Sequence, residues 1–178
     1  MQITEQALNF MSANQKALRF LALFAVIFGL SYFVFGIAPG VRNHLIKPYT
    51  EWLAVAVATT LNWFGEGASV VGHMVISRRF TMTIAMGCDG VEASSLFMAG
   101  VLAYPATWRA RLIGLLAGMP LIHVINLLRL VGLFYAGVYF PSIVEEVHVY
   151  IAQTIVILLS TAVLIFWLER FAVRSRQA

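Results

Sequence analysis

Cys88 is the only cysteine in a chain of 178 residues, and it stands in the run Met86-Gly87-Cys88-Asp89-Gly90-Val91-Glu92, directly before an apolar stretch. One cysteine forms no internal disulfide, and no second soft ligand is present to hold a metal. The chemistry within reach of the thiol is nucleophilic acyl transfer, with the thiolate as nucleophile and its ordinary pKa of ~8.5 lowered near cations and helix N-termini. That chemistry needs a proton carrier and a stabiliser of negative charge. His148 titrates near neutrality and can take the thiol proton, then hand one to a leaving amine. Arg129 can stabilise the thiolate or the oxyanion of a tetrahedral intermediate. Asn126, one turn before Arg129, can orient either partner. The set calls for no cofactor and no metal.

Each of these residues also has a plainer role when taken alone. Cysteine is among the most buried residue types, so Cys88 by itself reads as packing. His148 by itself reads as a polar anchor at a helix end, and Arg129 as a side chain snorkelling to the interface. His123 is expected to accept the structural task of bonding a backbone carbonyl freed by Pro120. His44 and His73 fall in polar or strand segments and read as solvated, and Glu145 and Glu146 as an acidic loop. The functional case rests on several residues meeting at one level.

The elements that would bring them there are membrane elements. Apolar residues make up 61% of the chain and charged residues 11%, a composition that no soluble domain needs. The net charge of +4 gathers in loops, where it sets orientation and makes nucleic acid a poor partner. The chain reads as a single integral membrane domain over 1–178, with the lipid bilayer as its solvent. Lys16 and Arg19 lead into a retained transmembrane helix over 17–38, after a polar start with no cleavable signal. An apolar run over 52–64 would reach roughly 20 Å at ~1.5 Å per residue, short of a ~30 Å hydrocarbon core, and so is either a short span or an interfacial helix. Over 69–86 the period changes to two: Phe80, Met82, Ile84 and Met86 alternate with Thr81, Thr83 and Ala85, which predicts a hairpin with Val70 to Ile76 as partner and a turn at Ser77-Arg78-Arg79. Asp89 followed by Glu92 is a capping-box pattern that predicts a helix from Gly90 with Asp89 as its N-cap. Transmembrane helices are expected over 90–104, 112–135 and 147–168.

Arg109 and Arg111 share one short loop, Arg170, Arg174 and Arg176 follow the last helix, and the loop 136–146 holds two glutamates and no basic residue. The positive-inside rule puts both basic sites in the cytoplasm and turns Cys88, the Tyr135 end and His148 outward together. Arg129 then lies ~9 Å along its helix from the outer end at Tyr135. In the first half the rule is tied. With Lys16 and Arg19 inside there are four spans, and with Arg42 and Lys47 inside there are five; the shortness of 52–64 favours four. The fold class is an all-α polytopic membrane protein of four or five transmembrane helices, with a small extracytoplasmic β-hairpin before the cysteine.

The order of these features resembles the exosortase/archaeosortase family: strand hairpin, Cys-x-Gly opening a helix, basic inner loop, Asn-x-x-Arg near the outer end of the next helix, acidic outer loop, and a histidine opening the last helix. The resemblance spans roughly Trp52 to Leu168. Chain length and the Cys88-Asp89-Gly90 variant, where many members read Cys-Ser-Gly, look like the exosortase H branch. The resemblance implies a membrane-embedded cysteine transpeptidase or protease that processes C-terminal sorting signals made of a short motif, one transmembrane helix and a basic tail. It implies Cys88 as nucleophile, Arg129 as the essential arginine and His148 as the histidine of the triad, with Asn126 supporting. For the H branch it implies an Ile-Pro-Thr-Leu-like motif near a Trp-Gly pair. Asp89 raises the thiol pKa if it faces the sulfur, or points to the helix amides if it caps. Small residues over Leu112 to Gly118 and Gly100 to Ala103 would either admit a substrate helix or pack the protein's own helices.

The expectation is therefore a polytopic inner-membrane cysteine transpeptidase acting on exported proteins at the periplasmic face through a thioester. A hydrolase with the same triad differs only in the attacking group. The non-catalytic rival is a membrane assembly or transport subunit whose polar path is lined by Arg129 and His123.

Overall fold

A computed structural model describes residues 14–85 and 87–172. The polar start of the chain, Met86 at the expected end of the hairpin, and Arg174 and Arg176 lie outside the described residues. The first helix, α1, covers Gln15–Ile37; α2 covers Lys47–Trp63, α3 Val91–Ala103, α4 Trp108–Tyr139 and α5 Val144–Ala172. Of these, α1, α4 and α5 are long and apolar enough to cross a membrane, and α3 is a shorter apolar helix. Between α2 and α3 lies a sheet of three strands in the order β1-β2-β3: Ser69–Val71, Met74–Ile76 and Thr81–Thr83.

The contacts at the two ends of the helices break the tie left by the charges. Lys16 and Arg19 share a pocket with Arg111, Phe20 meets Tyr104 edge-on at 6.1 Å, and Trp167 Nε1 donates to the Ala110 carbonyl at 2.8 Å. All of these belong to one end. At the other, Arg42 and Lys47 line a pocket with His73 and Ala85 beside the sheet. The chain therefore traverses the bundle four times, as α1, α3, α4 and α5. α2 does not cross back. It packs Leu53, Ala54, Val57, Ala58 and Leu61 into one buried cluster with Val75 and Ile84 of the sheet region and Leu130, Val131 and Phe134 of α4. This helix starts earlier than its apolar run because helical turns already run from Pro39 through a π-turn over Arg42–Ile46, which accommodates the carbonyl that Pro48 cannot bond.

The expected single hairpin is two. The stretch read as one strand from Val70 to Ile76 folds on itself at Gly72-His73, pairing Val71 with Met74 and Ser69 with Ile76. Gly72 takes a φ of +60°, which glycine adopts without the clash a Cβ would bring. The second hairpin forms where expected, with Val75 opposite Met82. Its turn lacks glycine and is held by side chains instead. Ser77 N donates to Phe80 O at 3.1 Å, and Ser77 Oγ donates to the Glu66 carbonyl at 3.1 Å. Arg79 pairs with Glu66 at 2.9 Å and lies over the Tyr139 ring, 5.1 Å from its centre. Phe80 fills the notch left by Gly137 on α4 and meets Phe134 edge-on. The sheet is thereby fixed to α2 and to the C-terminal part of α4.

Below the sheet, Phe97 and Val101 of α3, Ile122 of α4 and Val156 and Trp167 of α5 form a second buried cluster. The small residues of this region are filled from within: Leu164 covers Gly100, Trp167 covers Gly114 and Phe97 covers Gly118. They serve the protein's own helix packing. Pro120 does not interrupt α4, because the helix widens to a π-turn over Gly114–Gly118 just before it. That turn accommodates the carbonyl that proline cannot bond.

Candidate active site

Cys88 lies in the turn between β3 and α3, 3% exposed. Its N–H donates to Ala85 O at 3.1 Å, which turns the chain inward after the strand. Gly90 follows in the left-handed region at φ +81°, and a Cβ there would sit 3.0 Å from the Asn126 side chain. Glycine at this position thus answers both a backbone and a packing demand. It also occupies the N-cap of α3, so the helix begins at Val91, one residue later than the capping pattern implied. Asp89 still accepts from the first turn: its Oδ1 takes the Val91 N–H at 3.0 Å.

α4 reaches the turn from the side. Asn126, fully buried, donates from Nδ2 to the Cys88 carbonyl at 3.0 Å. Arg129 Nη1 donates to Asn126 Oδ1 at 3.3 Å and to the Gly87 carbonyl at 3.5 Å, while its Nε has no partner among the described residues. α5 contributes His148, whose Nε2 lies 3.1 Å from Cys88 Sγ. The helix is widened into a π-turn over Val147–Ala152, so His148 is carried on a locally irregular turn of the kind that recurs at functional sites. Cys88 and Asp89 of the turn are therefore brought together with Asn126 and Arg129 from the interior of α4 and His148 from the start of α5.

Burial pushes the Cys88 thiol above its ordinary pKa, and the Asp89 carboxylate adds to the rise; Arg129 opposes both as a nearby cation and hydrogen-bond donor. Asp89 thus caps the helix and acts on the sulfur as well. Its own carboxyl is pushed up by burial, against the pull of the Val91 N–H and of His123 and Arg129. Raised in this way, the thiol holds its proton more tightly than a free cysteine, and the imidazole 3.1 Å away is the group placed to receive it.

His123 does not take up a carbonyl freed by Pro120. Its Nδ1 lies 2.9 Å from Tyr49 OH, and that hydroxyl donates to the Asp89 carbonyl at 3.0 Å. The phenol has one proton, so with that proton on Asp89 the imidazole Nδ1 carries its own and donates to the phenol oxygen. His123 is thus bonded through Tyr49, and Arg129 to Asn126 and Gly87. Tyr49 was not singled out from the sequence. It precedes the run over 52–64 by three residues, and only the early start of α2 carries it to the Cys88–Gly90 turn. His44 and His73 are exposed. Glu145 lines a cleft of about 270 Å³ with Thr81, Thr83, Cys88 and His148.

No curated protein and no solved structure matches the chain. Residues 8–167 match the family described as Transmembrane exosortase (Exosortase_EpsH). That match covers most of the chain, including every residue of the cluster around Cys88, and the chain belongs to the transmembrane exosortase family.

Proposed function

We propose that the protein is a membrane-embedded cysteine transpeptidase of exported proteins, with Cys88 as nucleophile, His148 as general base and acid, and Arg129 as the stabiliser of negative charge. The observation that carries this reading is the 3.1 Å separation of Cys88 Sγ and His148 Nε2. His148 takes the thiol proton, and the sulfur attacks the carbonyl carbon of a substrate peptide bond, forming the C–S bond as the carbonyl π electrons move to oxygen. Of the donors around the sulfur, the Cys88 N–H is committed to Ala85 and one Asn126 amide N–H to the Cys88 carbonyl. The guanidinium of Arg129 adds a full positive charge to its N–H donors and is the group that stabilises the oxyanion. Collapse breaks the C–N bond, and His148 protonates the leaving amine. The thioester is then resolved by an amine, or by water in a hydrolase, with His148 removing a proton from the attacking group and the Cys88 thiol released.

Family membership and the membrane setting support a substrate class of exported proteins carrying a C-terminal signal of motif, transmembrane helix and basic tail. Charge supports the orientation: Lys16, Arg19 and Arg111 share a pocket at the end opposite the cluster, as the positive-inside rule asks of a Cys88 on the outer, periplasmic face of an inner membrane.

The test is mass spectrometry of the purified protein after mixing with a peptide bearing an Ile-Pro-Thr-Leu-like signal, wild type against Cys88→Ala. An acyl adduct on Cys88 that vanishes in the variant is the expected result, and its mass reads out the cleaved bond. Peptide binding without adduct or cleavage by an intact fold would overturn the reading in favour of a non-catalytic membrane subunit.

A further inference from the structure

The cleft that holds Cys88 and His148 has a strand edge as its other wall. β3 is the last strand of the sheet, and Thr81, Thr83 and Ala85 line the cleft with Cys88, Glu145 and His148. The ladder to β2 decides which backbone groups of β3 face that cleft. Ile84 N donates to His73 O at 3.0 Å and Ser77 N to Phe80 O at 3.1 Å, so the hydrogen-bonded pairs fall at Phe80, Met82 and Ile84. Alternation in an antiparallel ladder then turns the N–H and C=O of Thr81 and Thr83 away from β2. Their side chains are exposed, whereas Ile84 is buried. An open edge of this kind is a template for one more strand, and it leads within five residues to the thiol.

We infer that the substrate segment around the scissile bond binds as an added strand on β3, pairing its main chain with the N–H and C=O of Thr81 and Thr83, so that its carbonyl is delivered to Cys88. The inference rests on the catalytic reading above and names its substrate subsite. The occupant is an extended polypeptide. Main-chain pairing supplies its binding with little demand on side chains, and the cleft of about 270 Å³ between β3 and the start of α5 borders that edge. Such a segment must be in β conformation and must offer every second amide to the edge.

The experiment is an N-methyl scan of the signal peptide with the full-length protein in detergent, reading the rate of Cys88 acyl-adduct formation. N-methylation deletes one donor and blocks the strand edge at one residue. Strand pairing predicts losses of about tenfold or more at alternate positions beside the cleaved bond, with the intervening positions little changed. Adduct formation that is insensitive to N-methylation, or reduced without alternation, would overturn the strand pairing while leaving Cys88 as nucleophile. No Cys88 adduct from the unmethylated peptide overturns the catalytic reading and this inference with it.

Discussion

Asn126 donates to the carbonyl of Cys88 at 3.0 Å, so the helix that supplies the guanidinium also holds the peptide that carries the thiol. The side chain is fully buried, and truncating it leaves the Cys88 carbonyl without its donor and removes an acceptor from Arg129. Asn126→Ala is expected to cost about 1–3 kcal/mol of folding stability and to abolish adduct formation. Thermal unfolding in detergent and adduct mass spectrometry read the two effects separately.

Arg129 and Asp89 act on the thiol in opposite senses, which gives a pair of variants with opposite outcomes. Arg129→Gln removes the cation that favours the thiolate, so alkylation of Cys88 by iodoacetamide at fixed pH is expected to slow. Asp89→Asn removes the carboxylate that disfavours it and keeps an oxygen for the Val91 N–H, so alkylation is expected to quicken. Equal rates in the two variants would contradict the electrostatic roles.

Burial raises the Cys88 pKa in the folded protein, and the sign of the pH dependence follows. Between the ordinary thiol value of ~8.5 and the raised one, the folded state retains a proton that the unfolded chain has released. Stability therefore falls as pH rises through that window. The alkylation rate is expected to reach its midpoint at higher pH than for a free-cysteine peptide titrated beside it.

Gly90→Ala meets two obstacles at once. The left-handed backbone at φ +81° costs about 1–2 kcal/mol for a residue with a Cβ, and that Cβ presses on Asn126 at 3.0 Å. The expected outcome is a lower unfolding midpoint together with a slower adduct rate, since the displaced group is the one holding Cys88.

Tyr49 links His123 to the turn that carries Cys88. Tyr49→Phe is expected to destabilise by about 1 kcal/mol, because the carbonyl of buried Asp89 and the half-buried His123 ring both lose their partner. His123→Leu removes the same link from the other side, so the double variant is expected to cost clearly less than the sum of the two singles. Additive costs would show that the pair does not act as a unit.

The sequence carried much of the fold because long apolar runs and a period-two stretch are direct records of burial. The tie between four and five spans had no local solution. Arg42 and Lys47 are as basic as Lys16 and Arg19, and only the pocket shared with His73 and Ala85 puts them beside the sheet. Gly72 marked the extra turn, yet it sat inside an apolar stretch whose residues suit one strand as well as two. At the candidate site, residue types pointed to Cys88, Arg129 and His148 because a thiol, a guanidinium and an imidazole at one membrane level are chemically unusual. Tyr49 left no such mark, since an aromatic residue at a membrane surface is ordinary and its bonds to His123 and Asp89 span the fold.

α4 runs as one continuous helical rod from Trp108 to Tyr139, and this ties the chemistry to a length. Fifteen residues separate Arg111 at the basic end from Asn126 beside the thiol, about 22 Å at a rise of ~1.5 Å. The depth of Cys88 is thus measured from the opposite leaflet, like a mark on a ruler. A bilayer of longer acyl chains would submerge the cleft, and one of shorter chains would lift it into the headgroups. Cys88 acyl-adduct formation is therefore expected to vary with lipid chain length, with no residue of the cluster needing to sense it.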